Sequence, residues 1–309
     1  MSKSRLPISI LEHNVVYEFE RRAQSNAHDL ELAVASRKVV PTLELILDKV
    51  PPKVPHANVK TREITIYESH LAYLWAFVYS SFVLYEEGIQ KPMLAGTFSG
   101  SLEFNNSLLQ RAAALQSWAI KFVRCYSDWS IDELPNPAKV ESEAEQFYVP
   151  KVNSLFLQAV NFLLFHEYGH LVLGHVVNED KDWTLDQEKD ADNYATTFFI
   201  EAGTNESERR FVGVSIVLLL VSCVFIPEKI SGLWQVKHPH LHDRIRNGIS
   251  SLNLEEEESK FYIYYLASIA LQKYLLEKGV DCAQLEIETA EELFFEYLAR
   301  IDEFRESGI

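Results

Sequence analysis

Cysteine is scarce in this chain, and the three present, Cys125, Cys223 and Cys282, are far apart with no CxxC pair. An odd, scattered set excludes a disulfide framework and fits thiols kept reduced in the cytosol. An apolar core of signal-peptide length is missing from the first residues, MSKSRLPISI, so secretion is not expected and a cytoplasmic location is. A membrane-length apolar run is also lacking. The longest uncharged stretch, residues 211–226, has 16 residues, is diluted by Gly213, Ser215 and Ser222, and lies between Arg209-Arg210 and Pro227-Glu228-Lys229. A span needs roughly 20 residues, so this stretch reads as a buried core helix. Positive charge is in deficit: 29 Lys and Arg against 45 Asp and Glu give a net charge of −16. Such a surface repels a phosphate backbone and argues against nucleic acid as a partner. There is no internal repeat and no low-complexity tract.

What is present suits a folded, mostly helical protein. Of 309 residues, 47% are apolar, enough for a substantial core. The acidic runs, Glu255 to Glu258 and residues 286–306, read as solvated helix faces. Residues 10–36 form an amphipathic stretch, after which Pro41, Pro51, Pro52 and Pro55 punctuate the chain. Residues 62–67 alternate and are β-branched, so they read as a strand. Residues 68–87 are an aromatic-rich helix. Residues 94–104, with two glycines and short apolar alternation, read as a strand or hairpin, and residues 107–126 as a helix. Residues 127–150 hold three prolines and many acids and read as a surface connection. Beyond it the periodicity gives helices at about 153–176, 185–202, 208–226, 240–252, 257–278 and 284–306. The expected fold class is mainly α with a small β element (α+β). The expected division is a helical region 1–150 with short strands, a candidate substrate-docking part, and a helical zincin catalytic region 151–309, read together as one continuous globular unit.

The chemistry concentrates in His166-Glu167-Tyr168-Gly169-His170. Residues four apart on a helix lie about 40° apart around its axis, so the imidazoles of His166 and His170 can converge on one cation. Glu167 stands on the adjoining flank, where its carboxylate reaches water at the metal without being a ligand. Asn153 or Ser154 can cap this helix, and the apolar run before it predicts burial. A catalytic zinc site takes three protein ligands and keeps an open position. Thr184 and Gln187 form a capping box at the start of the next helix. On that helix Glu188, Ala191, Asp192 and Ala195 make one stripe. Two carboxylates among alanines suit a helix pressed against the first one, with Glu188 reaching the metal and Asp192 accepting the free ring N–H of a ligand histidine. The plainer alternative is a surface acidic patch. His175 follows Gly174 but is off the H-E-x-x-H-x-x-G-x-x-H spacing. In a continuous helix it lies about 180° from His166, so it reads as a helix C-terminal residue favoured by the dipole.

On these residues the chain resembles the gluzincins, in which H-E-x-x-H is followed by E-x-x-x-D. The resemblance implies a zincin-like core, with Glu188 as third zinc ligand and Asp192 orienting a histidine. The run His238-Pro239-His240-Leu241-His242-Asp243-Arg244-Ile245 is similar to one in the membrane-associated HtpX-like peptidases. That similarity implies His238 or Arg244 as oxyanion stabiliser, with Tyr194 a further candidate. In length, in the position of the motif and in its aromatic-rich first half, the chain more closely resembles the phage-exclusion peptidase (Lit-like) family. That resemblance implies an antiviral zinc peptidase that cleaves elongation factor Tu, and a quiescent state gated by a phage-derived peptide or protein. The rival expectations are a membrane-bound HtpX-like quality-control peptidase, which makes residues 211–226 a span, and a non-proteolytic regulator that uses zinc to hold its fold.

Overall fold

In the computed structural model the described residues are 6–24, 27–40, 43–177, 183–200, 205–226, 241–280, 282 and 287–306. A 3₁₀ turn, Pro7–Leu11, leads into α1 (Glu12–Gln24) and α2 (Ala27–Ala35). Three short strands follow, β1 (Leu43–Ile46), β2 (His56–Asn58) and β3 (Glu63–Tyr67). Then come α3 (Glu68–Tyr85), a π turn at Glu86–Gln90, the one-turn α4 (Lys91–Leu94), and α5 (Ser107–Phe122). The remainder is helical: α6 (Glu143–Val172), α7 (Leu185–Ile200), α8 (Glu206–Val224), α9 (Leu241–Ser251), α10 (Glu257–Glu277) and α11 (Ala290–Glu306). The fold is thus mainly α with a small β element, as its periodicity predicts.

Helix α3 is the centre. Its sequence, ESHLAYLWAFVYSSFVLY, is apolar on every side, and all 18 of its residues are buried. It packs on α5, α6, α8 and α10. Two side-chain hydrogen bonds tie it to its neighbours: Tyr73 Oη donates to the Ser222 carbonyl of α8 at 2.7 Å, and Trp75 Nε1 donates to Asn153 Oδ1 of α6 at 2.7 Å. Helix α8 contains the uncharged stretch and is a core helix, buried from Val212 to Ser222. No helix among the described residues is long and apolar enough to cross a membrane.

Helix α6 differs from expectation at its start. It begins ten residues early, at Glu143, and runs 30 residues through Pro150. The true cap is Ser142, whose hydroxyl accepts from the Glu145 N–H at 3.2 Å, while Glu145 Oε2 accepts from the Glu141 N–H at 2.9 Å. Asn153 and Ser154 do not cap. Asn153 serves Trp75, and Ser154 Oγ donates to the Pro150 carbonyl at 3.1 Å. Pro150 removes one N–H from the ladder, but Arg111 Nε, 2.7 Å from Glu145 Oε1, anchors the turn before it to α5. The helix crosses position 150, and one apolar core is shared by residues on both sides.

The sheet also corrects the expectation. Of residues 94–104, Leu94 closes α4 and 95–104 are irregular, with Gly96 and Gly100 at positive φ, rather than a strand or hairpin. The extra strands are β1 and β2, within the proline-punctuated segment. The strand order is β1-β3-β2, with β1 parallel to β3 (Leu43 opposite Ile64) and β2 antiparallel to it (Ala57 opposite Ile64). This leaves β2 on an edge, packed against α6.

Candidate active site

The last two turns of α6 carry His166, Glu167 and His170, all buried. Helix α7 lies against them. Its reciprocal capping box is formed: the Thr184 N–H donates to Gln187 Oε1 at 2.9 Å, and the Gln187 N–H to Thr184 Oγ1 at 3.3 Å. Ala191 and Ala195 are fully buried, which lets the helices approach closely. Gly169 shows how closely: a Cβ there would stand 3.4 Å from the Ala191 Cα and 3.2 Å from the Tyr194 ring. The approach delivers Glu188 to the two histidines. His166 Nε2 and His170 Nε2 are 3.2 Å apart, and the Glu188 carboxylate is 3.3 Å from the first and 3.8 Å from the second.

These three side chains form the one grouping among the described residues that could hold a metal ion. The fit is good. Tetrahedral zinc with Zn–N and Zn–O bonds of about 2.0–2.2 Å places its ligand atoms roughly 3.3–3.5 Å apart, and the Nε2–Nε2 and His166 Nε2–Glu188 Oε2 separations, 3.2 and 3.3 Å, are within about 0.1 Å of that range. Two imidazoles and a carboxylate are also the nitrogen and oxygen donors that suit zinc.

The surroundings hold each group in place. Asp192 Oδ1 lies 2.9 Å from His166 Nδ1. Arg244 donates to both oxygens of Asp192, from Nε and from Nη2, at 2.7 Å each. Arg244 is thus engaged behind the histidine. Its guanidinium fork matches the Asp192 carboxylate, so both of these N–H groups are spent there. Tyr194 lies over Gly169, with its ring near those of Tyr168 and Phe198. His238 falls outside the described residues. His175 is also corrected: α6 ends at Val172, Gly174 turns back at φ +71°, and His175 Nδ1 comes to 3.0 Å from His170 Nδ1. Trp183 stacks on the His170 ring, with centroids 4.2 Å apart and planes 11° apart.

The electrostatics follow from this geometry. Burial opposes charge on His166, but Asp192 and Glu188 outweigh it and raise its pKa to about 10. Burial and the nearby His166 charge lower His170 to about 3. Asp192 is held well below the usual carboxylate range: burial works against its charge, and Arg244 and His166 prevail. Glu167 is raised to about 7, chiefly by burial. Its Oε2 accepts the Ala57 N–H of β2 at 2.7 Å. This backbone donor was invisible to residue-type reasoning.

Comparison with known proteins places this chain among the peptidases. The family model described as Peptidase U49 matches residues 64–267, so the chain belongs to that family. It is also similar to the cell death peptidase of Escherichia coli (strain K12), with 23% identity over 273 residues, covering 84% of this chain and 85% of that protein. No solved structure gives a significant match.

Proposed function

We propose that this peptidase is a zinc-dependent endopeptidase whose metal is held by His166, His170 and Glu188. The observation that carries the reading is the convergence of these three buried groups beside a carboxylate, Glu167, that points to the edge of a strand. A zinc ion held there supplies Lewis acidity, polarising a scissile carbonyl and acidifying water. Glu167 takes the proton from the attacking water and delivers it to the leaving amine. Burial of its carboxylate favours the protonated form, which helps it hold the proton between the two halves of that task. The Ala57 N–H holds one carboxylate oxygen and so fixes the orientation of the base. Asp192 holds His166 in the tautomer whose Nε2 is a ligand, and Arg244 holds Asp192. With Arg244 committed there and Tyr194 packed among aromatic rings, His238 is the proposed oxyanion donor.

Residues 1–150 are the proposed substrate-docking part, serving the catalytic helices of 151–309. The likeness to a cell death peptidase supports a toxic protein target. The Lit-like resemblance supports elongation factor Tu in the cytoplasm, cut when a phage-derived peptide or protein activates the enzyme. The test is expression of the wild type and of Glu167→Gln with and without phage infection, followed by mapping of new N-termini. Elongation factor Tu fragments in the infected wild type alone are expected. An intact factor alongside other Glu167-dependent cuts would keep the peptidase and remove this target.

A further inference from the structure

His166 has a visible partner for the ring nitrogen that faces away from the cluster. His170 needs one too, because an imidazole that ligates through Nε2 must carry its proton on Nδ1 and place it somewhere. None of Glu167, Glu188, Asp192 and Arg244 is placed at that nitrogen. Here His170 Nδ1 lies 3.0 Å from His175 Nδ1, and the two rings meet at 70° with centroids 5.1 Å apart. His175 is only 9% exposed.

The chain is built to bring it there. After α6 ends, the Gly174 N–H bonds the Leu171 carbonyl at 3.3 Å and the His175 N–H bonds the His170 carbonyl at 3.1 Å. With Gly174 at φ +71°, this is the glycine-dependent reversal that closes many helices. The same two residues are therefore linked twice, once through the backbone and once through their rings. Trp183 stacks on a face of the His170 ring and leaves it little freedom to rotate.

We propose that His175 is a positioning residue for the metal site: its unprotonated Nδ1 accepts the His170 Nδ1–H and so presents His170 Nε2 as a ligand. The proposal rests on the assignment of His166, His170 and Glu188 as ligands. Only one of two facing Nδ1 atoms can carry the proton. If His175 carried it, His170 would hold its proton on Nε2 and could not ligate. The pair is therefore a two-way choice, and ligation requires the direction His170 to His175. The two ligand histidines then have unlike partners, a carboxylate behind His166 and a neutral imidazole behind His170. The site gains orientation at His170 without gaining another negative charge.

The test compares His175→Asn, which keeps an acceptor close to the place of Nδ1, with His175→Leu, which fills the space without one. His170→Ala serves as the ligand control. Zinc affinity is read by competition with a chromophoric chelator, and folding by urea denaturation of the metal-free proteins. His175→Leu should bind zinc about 10–100-fold more weakly at a near-native urea midpoint, while His175→Asn stays within a few-fold of the wild type. Native affinity in His175→Leu together with loss in His170→Ala would overturn the pairing alone. Full zinc in His170→Ala would overturn the ligand assignment and the pairing with it. If His175→Leu does not fold, nitrogen-15 spectra of the wild-type zinc protein decide. A proton on His170 Nδ1 and none on His175 Nδ1 is expected, and the reverse refutes the proposal.

Discussion

Removing Arg244 while keeping its volume, as in Arg244→Met, separates the support of the site from its ligands. The guanidinium makes two 2.7 Å bonds to Asp192, and each side chain of the pair is 18% exposed. Stranding one member of a buried pair costs about 3–5 kcal/mol. Water reaches this carboxylate and His166 still holds it, so the lower end, about 3 kcal/mol, is expected for the metal-free protein. The zinc ligands remain, but the group that orients His166 loses its anchor. Zinc affinity should fall about tenfold, or roughly 1.4 kcal/mol. Urea unfolding measures the first quantity and a chelator competition titration the second. The double variant Asp192→Asn with Arg244→Met should be more stable than the sum of its parts, because no charge is left stranded. Native stability and native zinc affinity in Arg244→Met would refute the reasoning.

Glu188→Ala should lose zinc strongly while Asp192→Asn keeps it with about 10–100-fold lower affinity or activity; equal affinities in wild type and Glu188→Ala, measured by metal analysis, would move the third ligand elsewhere. Gly169→Val should push α7 from α6, costing about 1–3 kcal/mol in a urea titration and weakening zinc, because α7 carries Glu188; unchanged zinc affinity would show that the close approach does not set the site. His70 is fully buried with neither ring nitrogen hydrogen-bonded, and burial lowers its pKa from 6.5 to about 4. Between those values the unfolded chain takes up a proton that the folded chain refuses, so stability falls as pH drops through that window, by about 3 kcal/mol in all. His70→Leu should flatten that slope, and an unchanged slope would mean that His70 is not responsible.

The parts of the site carried by side chains at fixed helical spacing were legible. His166, Glu167 and His170 follow from one motif, and Glu188 and Asp192 from a stripe that makes sense only if alanines allow close helix packing. The capping box of Thr184 and Gln187 was equally readable, because its chemistry is local. Three features were not legible. Strand β2 is three residues long beside Pro55, too short for a period to register, and its contribution to Glu167 is a backbone N–H common to almost every residue type. The start of α6 was hidden by Pro150, which reads as a boundary although Ser142 and Glu145 already spell a capping box. His175 was misplaced because a helix was extended past its end. Gly174 was the available signal, and it turns the chain so that position 175 faces His170 instead of the far side of the helix.

The central claim is that zinc at His166, His170 and Glu188 and the base Glu167 together make this chain a peptidase. The most direct measurement is zinc content by elemental analysis on purified wild type, Glu167→Gln and His166→Ala, paired with cleavage of elongation factor Tu under activating conditions. The account predicts one zinc per chain in the first two proteins, little in the third, and cleavage by the wild type alone. Full zinc in His166→Ala, or cleavage by Glu167→Gln at the wild-type rate, would contradict it.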